Sequence, residues 1–274
     1  MVSGLVRQVS EDGVGFNTTT WSVPIYTVSS RQPRVRVALE GPNRYLQEAW
    51  ASVPLPADAR PSAGSDGHLV VWQPATDTMW EFWRLQFRDG GWYAGYGGRI
   101  LDVRSSPGYY TSQSDADGRV VQQSWWGATA TGLPLAAGLV TLDDVRCGEV
   151  DHALALALPE IRKGVVAWPA QRSDGDDTSP IAIPEGARLR LDPRLDLSKL
   201  SLPPITRMLA EAAQRYGLIV RDGSGSVSLY GEDPAPYGAN PWPGLLGGLM
   251  PWQFMPAFPW SHLQVMKMRL SNYP

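Results

Sequence analysis

HLVVWQPATDTMWEFWRLQFRDGGWYAGYGGRILDV, residues 68–103, carries the densest strand signal of the chain. Its three runs, HLVVWQ, TMWEFWRLQF and WYAGYGGRILDV, are rich in β-branched and aromatic residues. PATD and RDGG between them supply the Pro, Asp and Gly of tight turns, so the segment predicts a three-stranded antiparallel meander at the heart of a sheet. On the middle strand Met79, Glu81, Trp83, Leu85 and Phe87 share one face, and Trp80, Phe82, Arg84 and Gln86 share the other. Aromatics on both faces imply a sheet covered on both sides, or one with a face adapted to a ligand.

Working outward, PRVRVALEG (33–41) alternates Val35, Val37 and Leu39 against Arg34, Arg36 and Ala38, the period of a half-buried strand with a wet Arg face. NRYLQEAWASV (43–53) spaces Leu46, Ala49, Trp50 and Val53 as one helical stripe, with Asn43 as N-cap. Thr141, three residues before Asp144, forms a variant capping box ahead of the alternating run Ala153–Leu158. KGVVAWPAQ (163–171) and IPEGARLRLDP (183–193) read as further strands. The clearest helix is LPPITRMLAEAAQRYG (202–217), where Ile205, Met208, Leu209, Ala212, Ala213 and Tyr216 make one stripe and Gly217 can supply a left-handed cap. Residues 218–232 follow as a hairpin. DPAPYGANPWPGLLGGLMPWQFMPAFPWS (233–261) has low regularity but is too apolar for a free linker, and HLQVMKMRL (262–270) closes the fold as a strand.

The expected architecture is mainly β: an antiparallel sandwich of jelly-roll type with one clear helix near 203–216 and one or two short ones. Residues 1–30 are expected to form an N-terminal arm and first strand, 31–232 the sandwich, and 233–274 an aromatic segment and closing strand packed on the domain or a neighbour. Composition agrees. The 28 Gly and 24 Pro make up nearly a fifth of 274 residues, where about 12% is usual, which favours short elements joined by tight turns. With 24 Lys+Arg against 27 Asp+Glu the net charge is -3, which speaks against a basic nucleic-acid binder. No apolar run reaches the ~18 residues of a membrane helix, and MVSGLVRQVSEDG lacks an apolar signal core, so neither a membrane span nor a Sec signal is expected.

The chemistry-bearing residues are sparse. Cys147 is the only cysteine, leaving no intramolecular disulfide and too few thiols for a Cys-based zinc site. His68, His152 and His262 show no metal-ligand spacing, so no metal and no cofactor is expected. Each imidazole is expected instead to bond a nearby backbone group or carboxylate. Asp66, Glu81 and Asp102, with His68 nearby, are the candidate pool for glycoside hydrolysis, which needs two carboxyls about 5–9.5 Å apart. Glu81 is the most interesting because burial would raise its pKa, although pairing with an Arg explains it as well. No GxSxG occurs, and GYGG at 95–98 opens no helix, which removes a serine triad and a dinucleotide fingerprint. Twelve Trp and ten Tyr against five Phe favour surfaces that are partly apolar and partly wet. Tyr109, Tyr110, Trp125 and Trp126 are the leading candidates for ligand contact. Trp242 and Trp252 also lie in loop-like segments.

Several runs, among them SVPIYTV (22–28), SDGHLVVWQPATDTMWEFWR (65–84), WWGATATGLPLAAGLVTLDDVRCGEVDHALALALP (125–159) and IPEGARLRLDPRLDLSKLSLPPITRMLAEAAQRYGLIVRD (183–222), resemble a family of minor tail proteins of actinobacterial phages. The likeness covers about residues 20–235 and extends distantly to secreted bacterial proteins. It implies a virion tail component, made in the host cytoplasm and released by lysis, that partners other tail proteins and forms a homo-oligomer. It brings no catalytic assignment. Exposed aromatic loops would then meet host cell-envelope polysaccharide. The alternatives are a glycan-cleaving hydrolase and a purely architectural tail protein.

Overall fold

The computed structural model describes residues 1–273. The chain forms two compact units: unit 1 comprises residues 1–17, 138–231 and 240–274, and unit 2 comprises 18–137 and 232–239. Both units thus cut across the segment 31–232; the segment 1–30 divides between the units after residue 17, and the segment 233–274 divides after residue 239.

In chain order, unit 1 opens with α1 (Val2–Glu11) and β1 (Val14–Asn17). Unit 2 follows with β2 (Ile25–Thr27), β3 (Val37–Leu39), α2 (Arg44–Ala49), β4 (Leu69–Gln73), β5 (Thr78–Trp83), β6 (Gln86–Arg88), β7 (Gly91–Ala94), β8 (Tyr96–Ile100), β9 (Gln113–Ser114) and β10 (Val120–Gln122). Unit 1 resumes with α3 (Leu142–Cys147), β11 (Leu154–Leu158), β12 (Ile161–Ala167), β13 (Ile183–Glu185), β14 (Arg188–Leu191), α4 (Pro204–Arg215), β15 (Leu218–Gly223) and β16 (Val227–Tyr230). It closes with α5 (Trp242–Leu245), α6 (Pro251–Phe254), β17 (Leu263–Val265) and β18 (Leu270–Asn272).

The protein is mainly β with few helices, as expected. Its sheets, however, mix directions: β1–β16, β11–β15, β12–β13, β2–β4 and β3–β7 pair in parallel. A jelly roll is built from antiparallel strands, so these pairings do not trace one.

Unit 1 is organised by a six-stranded sheet of order β1-β16-β11-β15-β14-β17. α4 lays Ile205, Met208, Leu209, Ala212 and Ala213 into its core, the stripe the periodicity predicts. The exposed carbonyls at the end of α4 are satisfied by the neighbouring strand: Arg188 Nε donates to Tyr216 O at 2.9 Å and Arg190 Nε to Gln214 O at 2.8 Å. The aromatic segment after residue 240 lies on its own unit, with Trp242, Phe254, Met255, Phe258 and Trp260 buried in the same core. Phe16 on β1 meets the rings of Trp242 and Phe254 edge-on at 5.4 and 5.8 Å.

The N-terminus corrects the expectation of an extended arm. Residues 2–11 are helical because Val2, Leu5, Val6 and Val9 fall on one face, with Leu5 fully buried and the valines packed against the core.

The capping box of α3 forms as expected. Thr141 Oγ1 accepts from Asp144 N at 3.1 Å, Asp144 Oδ2 accepts from Thr141 N at 2.7 Å, and Gly148 ends the helix at φ 75°. Burial alone would raise the Asp144 carboxyl, but hydrogen bonds from His152 and Thr141 hold it below its ordinary value. Thr141→Ala should lower unfolding free energy by about 1 kcal/mol, read as a fall in urea midpoint at unchanged m. An unchanged midpoint would refute this.

In unit 2 the meander forms as β4-β5-β8, with Glu81 opposite Val70 on one side and Gly98 on the other. The middle run is shorter than expected because Arg84 adopts φ 55°, which ends β5; β7 then pairs with β6 on one side and β3 on the other. The glycines of GYGG permit close packing. A Cβ at Gly97 (φ 153°) would lie 2.0 Å from Glu81 O, and one at Gly98 would lie 2.2 Å from the Tyr110 hydroxyl.

Candidate functional site

In unit 2 a groove of about 480 Å³ is lined by Leu39, Gly41, Pro42, Asn43, Arg44, Tyr45, Tyr96, Gln123 and Trp125. Its walls are fixed by local chemistry. Asn43 caps α2 by accepting from Leu46 N at 3.0 Å, which sets the direction of Arg44 and Tyr45. Gln47 staples the helix to β3, accepting from Leu39 N at 2.9 Å and donating to Val37 O at 2.9 Å. Across the groove, Tyr96 lies on β8, and Arg99 of the same strand donates to Val121 O at 2.7 Å, holding β10 and the loop beyond it. Trp125 stands on that loop with half its surface exposed, and its carbonyl accepts from the Tyr96 hydroxyl at 3.5 Å.

The loop is held from below by Glu81. This carboxylate is fully buried; Oε1 accepts from Ala128 N at 2.8 Å and Oε2 from Leu135 N at 2.7 Å. Glu81 is therefore a support of the 125–135 loop, and its oxygens point into protein. Asp66 and Asp102 sit at opposite ends of β5, since Asp66 O accepts from Arg84 N and Asp77 O accepts from Val103 N. A six-residue strand spans roughly 20 Å, too far for the two carboxylates to work on one bond. The structure thus does not assemble the candidate hydrolytic pool. His68 is buried, and its backbone N–H donates to Ser62 Oγ at 3.2 Å.

Of the four aromatics singled out for ligand contact, Trp125 lines the groove. Tyr109 is half-buried, while Tyr110 and Trp126 are buried at 1% and 0% exposure, Tyr110 against Gly98. In unit 1 Trp242 is buried and Trp252 is exposed. Tyr45, Tyr96 and Arg44 were missed. Tyr45 carried a signal, because it lies off the buried stripe of its helix and so belongs to the wet face. Tyr96 sits between glycines that packing alone explained.

His152 behaves as the sequence suggests: Nδ1 contacts Ala153 O at 3.0 Å and Nε2 contacts Asp144 Oδ2 at 3.4 Å. Burial pulls its pKa down, but Asp144 and Ala153 outweigh burial and leave it raised. Among the described residues no group of three or more His, Cys, Asp or Glu is placed to hold a metal ion. The strongly perturbed carboxyls lie outside the groove: burial pushes Glu185 in unit 1 up to about 9 and Asp233 in unit 2 up to about 6. What the groove offers is two tyrosine rings, a half-exposed indole, an amide or two and one guanidinium. That set can stack against a flat apolar face and bond hydroxyls around it. No helix among the described residues is long and apolar enough to cross a membrane. Set against family models, curated proteins and solved structures, the chain finds no match in any of the three.

Proposed function

We propose that the chain is a minor tail protein at the tip of a phage tail, and that unit 2 holds host-envelope glycan in the groove of Tyr45, Tyr96 and Trp125. The word-like sequence resemblance supports the tail assignment. The contact itself rests on one observation: an indole exposed at 50% lines, together with Tyr45 and Tyr96, a groove of about 480 Å³. Sugar rings have apolar C–H faces and hydroxyl rims, so they stack on such rings while Asn43 and Gln123 bond the rim. The volume lies within the range of small-molecule sites. This reading needs only α2, β8 and the loop after β10, and not the jelly-roll sandwich expected from the sequence.

Trp125→Ala and Tyr96→Ala should each weaken retention on purified envelope polysaccharide by about tenfold, since losing one buried aromatic contact costs on the order of 1–2 kcal/mol. Trp252→Ala, which removes an exposed indole of unit 1, should leave retention unchanged. Equal retention by all three variants would overturn the groove as the contact site. The architectural reading is favoured by a separate observation: Trp168, Ile181 and Trp252 of unit 1 expose 55%, 65% and 64% of their surface, apolar area of the kind subunit contacts cover. Under that reading none of the groove variants affects polysaccharide, and Trp252→Ala lowers the oligomeric mass in sedimentation.

A further inference from the structure

We infer that the glycan held in this groove is acidic, carrying carboxylate or phosphate groups that Arg44 contacts. The inference rests on the glycan reading above and specifies its ligand. Among the nine residues that line the groove Arg44 alone is charged, and no carboxylate joins it. Its guanidinium lies over the Tyr45 ring at 4.6 Å, and one N–H donates to the Tyr45 hydroxyl at 2.7 Å. These two contacts limit the freedom of the group, so less side-chain entropy is lost when a ligand oxygen arrives. A guanidinium carries five N–H donors in a planar fork that fits two oxygens of a carboxylate or phosphate.

The neighbouring carboxylates do not cancel this charge. Glu40, next to the groove in sequence, is paired with Arg88 at 2.6 Å. Glu48 lies one turn along α2 and acts on Arg44 only through space. The chain as a whole is negative, at -3, so its long-range field does not attract a polyanion. A cation placed at the stacking surface, on a chain of opposite net sign, gives local recognition instead of general adhesion. A neutral hydroxyl can accept a single N–H from it, whereas a carboxylate or phosphate can take two charge-assisted ones.

The test uses the full chain and three immobilised polymers: polygalacturonate, its carboxyl-reduced neutral form, and a glycerol-phosphate polymer. The expected result is retention on one or both acidic polymers about tenfold tighter than on the neutral one, weakening as salt is raised. Arg44→Gln should abolish that preference, a loss of about tenfold on the acidic polymers for a charge-assisted contact. Preference for polygalacturonate alone assigns the contact to carboxylate, and preference for the glycerol-phosphate polymer alone assigns it to phosphate. Equal retention on all three, unaltered in Arg44→Gln, overturns the inference and leaves the groove reading standing. An acidic preference that survives Arg44→Gln overturns the role of Arg44. Absence of retention on every polymer, or retention indifferent to Trp125→Ala, overturns the glycan reading and this inference with it.

Discussion

Glu185→Gln is expected to raise the unfolding free energy at pH 7 by about 3 kcal/mol. Glu185 ends β13 with no exposed surface. Its Oε2 accepts from Asp174 N at 3.2 Å, Ser173 bonds it, and the carboxylates of Asp174 and Asp222 lie near enough to oppose its ionisation. Burial is the larger cause and, with those charges, pushes the pKa from 4.5 to about 9. The folded state therefore keeps a proton that the unfolded state releases between those two values. Stability falls as pH rises through that window, and at pH 7 the loss is about 2.5 pKa units, or roughly 3 kcal/mol. Gln is neutral at every pH and matches the protonated acid in shape, so the variant escapes the loss. Urea unfolding of both proteins at pH 4, 7 and 9 checks this. The stability difference should be near zero at pH 4 and grow with pH. A difference that is constant across the three, or of the opposite sign, would show that Glu185 is not held protonated.

Glu81→Ala should have the opposite effect and destabilise by about 4 kcal/mol. The truncation strands two buried amides, Ala128 N and Leu135 N, that the carboxylate now satisfies, and it opens a void between β5 and the 125–135 loop. Glu81→Gln keeps a single strong acceptor and should lose about half as much. In hydrogen exchange, the amides of Ala128 and Leu135 should lose protection in both variants. Trp125 stands at the start of the loop those bonds hold, so polysaccharide retention should fall in parallel with loop protection. A stable Glu81→Ala protein with intact exchange protection would disprove the supporting role, and a stable protein that lost a glycan-cleaving activity would return Glu81 to the chemistry its burial first suggested.

Much of the local structure was written in short-range pattern. The stripe of α4 and the Asn43 and Thr141 caps follow from periodicity and from side chains that bond backbone three residues away, and the pairing of β4 with β5 follows from two apolar runs joined by a short turn. The helix at 2–11 was also legible, in Val2, Leu5, Val6 and Val9, but Gly4, Gln8 and Ser10 diluted the stripe. The candidate groove was readable only in part. Trp125 was named from its loop context, whereas its neighbour Trp126 looked identical in sequence and is buried.

From the sequence alone follow the β-rich class, the starts of α2 and α3 at Asn43 and Thr141, the apolar stripe of α4, and the impossibility of an intramolecular disulfide with one cysteine. Which strands run parallel is a matter of tertiary packing, because the parallel pairings join segments distant in sequence, and alternation within a strand carries no information about its partner's direction. Tertiary packing also decided the role of Glu81. A carboxyl on a buried strand face is a general acid if it looks into a cleft and a brace if amides meet it, and those amides come from a loop about fifty residues away. Likewise Arg44, Tyr45, Tyr96 and Trp125 form one surface only after α2 is fastened to β3 and the loop after β10 to β8. Spacing along the chain says nothing about such distances, because they are set by packing.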